Sequence, residues 1–260
     1  WTVQTERGCP LSCDFCGASR LLGPFREKPM EKVADELAAI RSIDDTPWVE
    51  LADDNTFAGN RDLSEFCVTL EQFGVHYFTE SDWRIGERPQ DVKRLAESGC
   101  VQLLIGIESL VFRYAGMGRK HSDMARIEDA VATIQDAGIV ANGCFILGAD
   151  GETNASLDRL TEFIDASSFA EIQLTLQTPF PGTALYRRLA AEDRLLHDRS
   201  WKHYTLFDVV FRPDILTVEE LEAGFRRVMS DVFSPASAAR RASIRRRIWS
   251  RHPRMRGGRS

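Results

Sequence analysis

The chain has 260 residues, 43% of them hydrophobic, enough for one large core or two modest domains. Charged residues make up 28%, no apolar run approaches the roughly eighteen residues of a membrane span, and nothing at the start reads as a secretory signal. A transmembrane or secreted protein is therefore not expected, and a cytoplasmic setting is. The net charge of −6 is unevenly placed: residues 239–260 hold nine Arg and no acid, which leaves 24 Lys and Arg against 39 Asp and Glu in residues 1–238, a net of −15. So acidic a body argues against a broad nucleic-acid face.

The chain opens on Trp1 with a strand and no lead-in, so it is expected to be a piece of a longer protein. That strand, roughly 2–6, runs into "RGCPLSCDFCGAS". A helix follows Pro29, with Val33, Leu37 and Ile40 on one face. From there an alternation repeats. Amphipathic segments carrying Leu63, Phe66 and Leu70, then Ile127, Val131 and Ile134, then Leu157, Leu160 and Ile164 are separated by short apolar runs. Gly74, Gly99 and Gly138 sit where helices should end in the left-handed conformation. The apolar runs predict strands near 48–53, 75–80, 101–107, 140–147 and 170–177, nearly continuous as in buried parallel sheets. Strand and helix alternating six times predicts a parallel sheet with right-handed crossovers, better suited to an open, partial (β/α)6 TIM-like barrel than to a doubly wound sheet.

After Gln177 the alternation stops. "TPFPGTALY" is rich in turn residues, a helix is expected near 183–192, and "LTVEELEAGFRRVMSDVF" carries a capping box, Thr217 with Glu220, before a stripe of Leu221, Phe225, Val228 and Val232. The expected organisation is a core over 1–177, a C-terminal helical extension over 178–238, and a basic, poorly ordered tail over 239–260.

Six cysteines are present. Cys67, Cys100 and Cys144 are scattered in apolar settings and read as small buried hydrophobes; a disulfide framework is not expected. Cys9, Cys13 and Cys16 form Cys-x3-Cys-x2-Cys. Structural zinc wants four ligands, usually as two pairs, and no second pair exists here. An iron–sulfur cluster also uses thiolates, normally four. Three local cysteines would leave one iron of a four-iron cube open to a small molecule.

The loop, with Phe15 directly before the third cysteine, resembles the signature of the radical S-adenosylmethionine (SAM) enzymes. The resemblance implies a [4Fe–4S] cluster on Cys9, Cys13 and Cys16, SAM on the open iron, and one-electron cleavage to a 5′-deoxyadenosyl radical. It implies a fold of the radical SAM barrel type. It also implies SAM contacts by position: Asp53 and Asp54 of "ADDN", standing where the family often has a Gly-Gly-Glu-like stretch; Glu108 and Ser109 of "IGIES"; Arg119 of "GMGRKHS"; and Gly148 of "FILGADGET", beside the adenine. The cysteine loop, Asp53, Asp54, Glu80, Glu108 and Gly148 all fall at the C-terminal ends of the expected strands, where β/α barrels place their chemistry.

"QTERGCPLSCDFC", "LADDN", "GIES", "QTPFPGTALY" and "WKHYTLFDVVFRP" together resemble the branch that carries an N-terminal cobalamin-binding domain. Cobalamin is thus implied as a possible cofactor held by a missing N-terminal domain; no Asp-x-His-x-x-Gly occurs in this sequence. The branch implies methylation or a related modification of a small or lipid-like substrate, with an external donor such as flavodoxin or ferredoxin supplying electrons. Two other readings stand beside it. One is a methylthiotransferase acting on RNA or protein, although the C-terminal RNA-binding β-domain usual there is not found. The other is a non-catalytic iron–sulfur electron relay, which a closed, four-cysteine cluster would serve better.

Overall fold

The computed structural model describes residues 1–117 and 124–255. Six strands, β1 (Thr2–Val3), β2 (Trp48–Leu51), β3 (His76–Asp82), β4 (Cys100–Glu108), β5 (Val140–Leu147) and β6 (Glu171–Leu176), form one sheet in chain order. Every neighbouring pair is parallel. Between them run α1 (Met30–Arg41), α2 (Leu63–Gln72), α3 (Pro89–Ser98), α4 (Met124–Asp136) and α5 (Asn154–Ala166). Sequential order with a helix in each crossover is the expected partial β/α barrel. The predicted helix faces are the buried ones: Val33, Leu37 and Ile40; Phe66 and Leu70; Ile127, Val131 and Ile134; Leu157, Leu160 and Ile164. Gly74, Gly99 and Gly138 take φ of 62°, 108° and 94°.

The first strand is shorter than its apolar pattern suggests. Glu6–Arg7 leaves the sheet to pair antiparallel with Arg26–Glu27, which turns the chain toward the cysteine loop. The strands are also less buried than nearly continuous runs predict. In β4 and β5 every second residue, among them Gln102, Leu104, Gly106, Asn142 and Cys144, is only half-buried. These residues face the lumen of the partial barrel, which is an open space and not a packed layer.

Beyond β6 lie α6 (Ala184–Ala191), a strap bridged at Leu195 and Phe211, α7 (Val218–Val232) and α8 (Pro235–Trp249). The α7 capping box is present, Thr217 Oγ1 accepting from Glu220 N–H and the Glu220 carboxylate from Thr217 N–H. Leu221, Phe225, Val228 and Val232 are buried.

The described part of the basic tail, residues 239–255, differs from expectation. It is not a loose end: α8 starts at a Ser234 N-cap with Pro235 in its first turn, and Ile248 packs on Val140 and Ala170 at the bottom of the sheet. The arginines find acids and carbonyls of the body. Arg240 donates to the carbonyls of Ile164 and Ser167, Arg241 to that of Val232, Arg251 to Asp136, and Arg245 pairs with Glu171. His252 is fully buried, its Nε2 2.8 Å from the Cys100 carbonyl. Its backbone lies so close to Gly138 that a Cβ there would stand 2.5 Å from the His252 Cα. A composition that reads as a solvated end is thus a helix whose charge neutralises an acidic body.

Replacing Ile248 by Ala should therefore lower stability by about 2–4 kcal/mol, as for other buried Ile truncations. Urea unfolding of parent and variant measures this. No change in midpoint would mean that the tail is not packed on the barrel.

Candidate active site

The cysteine loop is built from both sides. On one side, the buried Asp53 carboxylate accepts from Thr5 N–H at 2.7 Å, Thr5 Oγ1 at 2.5 Å, Glu6 N–H at 3.0 Å and Thr56 Oγ1 at 3.1 Å. That pins the exit of β1 to the end of β2. On the other side, Asp14 N–H donates to the Ala115 carbonyl, and the Asp14 carbonyl accepts from Leu185 N–H, both at 2.9 Å. Gly116, at φ 82°, lets the 113–117 segment approach: a Cβ there would lie 2.0 Å from the Ser12 carbonyl. Phe15 packs on the buried Tyr114, ring centroids 4.6 Å apart. The Tyr114 hydroxyl donates to Gln177 Oε1, and Gln177 Nε2 donates to the Gly148 carbonyl, tying the loop to the ends of β5 and β6.

Held in this way, Cys9, Cys13 and Cys16 line one cavity of about 290 Å³ at the top of the barrel. Phe15, Asp54, Glu80 and Glu108 line it from the loop, β2, β3 and β4. Among the described residues, its lining contains no Lys, Arg or His. Burial and the adjacent Asp53 carboxylate push the Asp54 carboxyl above its ordinary range. Glu108 is 8% exposed and has φ of 72°, at the place where the β4–β5 register shifts. A non-glycine residue in that region is strained, and such strain collects at functional sites.

Among the described residues, no three His, Cys, Asp or Glu are drawn together so as to hold one metal ion. The three cysteines share one cavity.

A family model described as the radical SAM superfamily matches residues 3–164. The chain belongs to the radical SAM superfamily. A second model, a domain of unknown function (DUF4070), matches residues 183–256. Curated relatives include an uncharacterized methyltransferase of Pyrococcus horikoshii, 29% identical over 86% of this chain and 49% of that protein. The bacteriochlorophyllide d C-12(1)-methyltransferase of Chlorobaculum tepidum is 25% identical over 92% of this chain and 53% of that one. The hopanoid C-2 methylase of Rhodopseudomonas palustris is 28% identical over 92% and 46%. The chain therefore spans about half the length of the curated relatives it matches.

Among solved structures, the cobalamin-dependent SAM radical enzyme OxsB superposes with a TM-score of 0.69, at 12% identity, over 96% of this chain and 46% of that one. The radical SAM methyltransferase TsrM of Kitasatospora setae does so with 0.66, at 15% identity, over 90% and 51%. These two likenesses carry the fold.

This radical SAM chain brings together seven of the residues singled out from its sequence: Cys9, Cys13, Cys16, Phe15, Asp54, Glu80 and Glu108. Three others frame the cavity without lining it. Asp53 has its oxygens taken up by the β1 exit. Ser109 Oγ accepts from the N–H groups of Val111 and Phe112 and donates to Glu152. Gly148, at φ 94°, is approached by Leu221 of α7, which a Cβ would meet at 2.9 Å. Arg119 lies outside the described residues.

Sequence reasoning missed Cys144 and Gln173, which line the lower part of the cavity. Their alternation with buried neighbours along β5 and β6 was the available signal. It also missed Glu152, a buried carboxylate that accepts from Gly148 N–H at 2.7 Å and is pushed up to about 7 by burial.

Two outcomes follow. Glu108→Gly removes a side chain from a left-handed position, so stability should stay within about 1 kcal/mol of the parent, relieved strain offsetting the entropy of glycine. SAM affinity should fall tenfold or more. A melting curve and equilibrium dialysis measure the two; a variant that binds SAM as well as the parent would remove Glu108 from the site.

The second concerns pH. Glu152 keeps its proton in the folded state up to about pH 7, whereas an ordinary Glu loses it near 4.5. The folded state binds the extra proton in that window, so stability should fall as pH rises from 4.5 through 7 and then level. Glu6, pushed up to about 8 by burial and by Asp53, acts in the same direction. Glu152→Gln should flatten the decline between pH 5 and 7, as read from urea midpoints at several pH values.

Proposed function

We propose that the chain is the catalytic core of a radical SAM enzyme that holds a [4Fe–4S] cluster on Cys9, Cys13 and Cys16 and binds SAM in the adjoining space. When bound, cluster and SAM together supply a 5′-deoxyadenosyl radical by one-electron cleavage of the sulfonium. The observation that carries this reading is that three thiols from one loop and carboxylates from three strand ends line one cavity. SAM brings an ammonium and a sulfonium, and such a cavity suits cationic groups.

Each residue has a task of its own in this reading. The cysteines, as thiolates, leave the fourth corner to SAM. Asp54, raised by its acidic neighbour, gains from an ammonium beside it in a way that Asp53, already saturated with donors, does not. Glu108 is held by its strained backbone toward the same space. Phe15, seated on Tyr114, presents an apolar wall that limits water near the loop. Cys144 is left out of the proposed ligand set; its thiol lies 3.8 Å from the Asn142 carbonyl and 3.7 Å from Gln173 Oε1.

The reaction proposed is methylation or a related modification of a small or lipid-like substrate. Its support is the set of relatives named as methyltransferases of a bacteriochlorophyllide and of a hopanoid. Cobalamin, held by a domain outside these residues, is proposed because OxsB and TsrM, which share the fold, are described with cobalamin bound. An external donor of the flavodoxin or ferredoxin class would supply the electron. No helix among the described residues is long and apolar enough to cross a membrane, and thiolate ligands suit a reducing compartment such as the cytoplasm.

The test is anaerobic reconstitution with iron and sulfide, reduction, addition of SAM and chromatography for 5′-deoxyadenosine. The parent and Cys144→Ala should bind about four irons per chain and form the product. Cys13→Ala should lose the iron and the product while keeping its far-ultraviolet circular dichroism. Normal iron content in Cys13→Ala would overturn the ligand assignment. Loss of iron in Cys144→Ala would favour a closed, electron-relay cluster.

A further inference from the structure

Gly106, Cys144 and Gln173 are partners across β4, β5 and β6, so they form one row on the sheet. All three line the cysteine cavity. Along their strands they alternate with buried neighbours, as the pleat requires, and so face the lumen. Neither the cluster nor SAM uses this row in the reading above. Gln173 is also the only exposed residue of the three strands, and β6 is an edge strand of the sheet. Three residues beyond Gln173 the strap meets that edge, the Leu206 carbonyl accepting from Leu176 N–H at 2.7 Å.

The row has room and a directed polar group. A glycine on β4 puts no side chain beside Cys144, and glycine inside a strand marks places where a ligand can come close. The Gln173 amide is oriented by its neighbour, Cys144 Sγ lying 3.7 Å from Oε1. Nε2 is the other end of the amide, and among the described residues no group accepts from it. A carboxamide nitrogen has two hydrogens to give. Solvent satisfies such an exposed donor until a ligand oxygen replaces it. Leu104, one row below Gly106 on β4, and Phe15 of the loop give the same cavity apolar surface.

We propose that Gln173 selects the substrate, its Nε2 donating to a neutral oxygen, a carbonyl or a hydroxyl, of a molecule whose apolar part lies against Leu104 and Phe15. Cys144 is a positioning residue that fixes the amide. This rests on the reading of the cysteine cavity as the reaction site. It narrows a small or lipid-like substrate to one that carries such an oxygen at the Cys144–Gln173 row. A site built to hydrogen-bond one group rejects analogues that lack it.

Ligand-observed NMR titration of the anaerobically reconstituted, SAM-loaded protein with cyclohexanone, and separately with chlorocyclohexane, tests it. The two probes are alike in size and apolar surface, but only the ketone carries a good acceptor. The parent should bind the ketone saturably. Gln173→Leu keeps the bulk and loses the donor. It should bind the ketone about threefold to tenfold more weakly, the range of one neutral hydrogen bond, and chlorocyclohexane at least as well as the parent does. Gln173→Glu, whose carboxylate only accepts, should lose the ketone as the Leu variant does. Both variants should keep the iron content and far-ultraviolet circular dichroism of the parent. No saturable ketone binding by the parent would overturn the proposal, as would a Leu variant that holds the ketone as tightly or weakens both probes alike. Formation of 5′-deoxyadenosine by the same parent sample reports separately on the radical SAM reading. Product without the ketone effect sinks the Gln173 anchor alone. The ketone effect without product sinks the radical chemistry and leaves the oxygen site standing.

Discussion

The buried carboxylate of Asp53 is the contact on which the site is assembled. It gathers two backbone N–H groups and two hydroxyls within 3.1 Å, so the chain must leave the sheet at Thr5 and cannot continue β1. Hydrogen bonds to a charged acceptor in a dry setting are among the stronger ones a protein makes, and a partly satisfied one is costly. The turn is therefore well specified. Arg61 reinforces it, donating to the Thr5 hydroxyl at 2.7 Å and to the Thr5 carbonyl at 2.8 Å. Everything downstream in the loop inherits its direction from this turn, and the clamp of Ala115, Gly116 and Leu185 then sets its height above the barrel.

That arrangement explains why two adjacent aspartates have different fates. Asp53 and Asp54 are equivalent in sequence and chemistry, yet one points into the wall and the other into the cavity. Once the first is saturated, it becomes a fixed negative neighbour for the second. The strand end then favours a cation at Asp54 without any further residue being needed.

Much of the fold was legible in the sequence because it depends on period. Four helix faces and six strands follow from spacing, glycines and caps, and the strands lie within two residues of expectation except where β1 is cut short. The three cysteines, with Phe15, were legible because their spacing carries the chemistry. The rest was hidden for physical reasons. Lumen residues such as Cys144 and Gln173 occupy the same alternating positions as ordinary core, and only an unfilled lumen distinguishes them. Ser109 and Gly148 sit at strand ends, as expected of ligand contacts, but a strand end also has to hold its own loops, and the Glu152 carboxylate recruits both for that. The arginine-rich tail looked unstructured because composition says nothing about complementary charge elsewhere, here Glu171, Asp136 and the carbonyls that end α5.

The site is also where this molecule tolerates what it avoids elsewhere. Glu108 sits in a left-handed backbone conformation, Asp54 and Glu6 carry carboxyls raised by burial and by the Asp53 carboxylate, and the lumen is left open. Each costs stability, and all lie on the upper half of one barrel. The lower half is closed by α8, His252 and a ring of arginine contacts. A barrel firmly closed at its base can hold strained and like-charged groups at its mouth, because local repulsion there cannot relax by opening the sheet. The basic helix beneath and the acidic cavity above are therefore two parts of one arrangement, in which packing at one end keeps polar groups poised at the other.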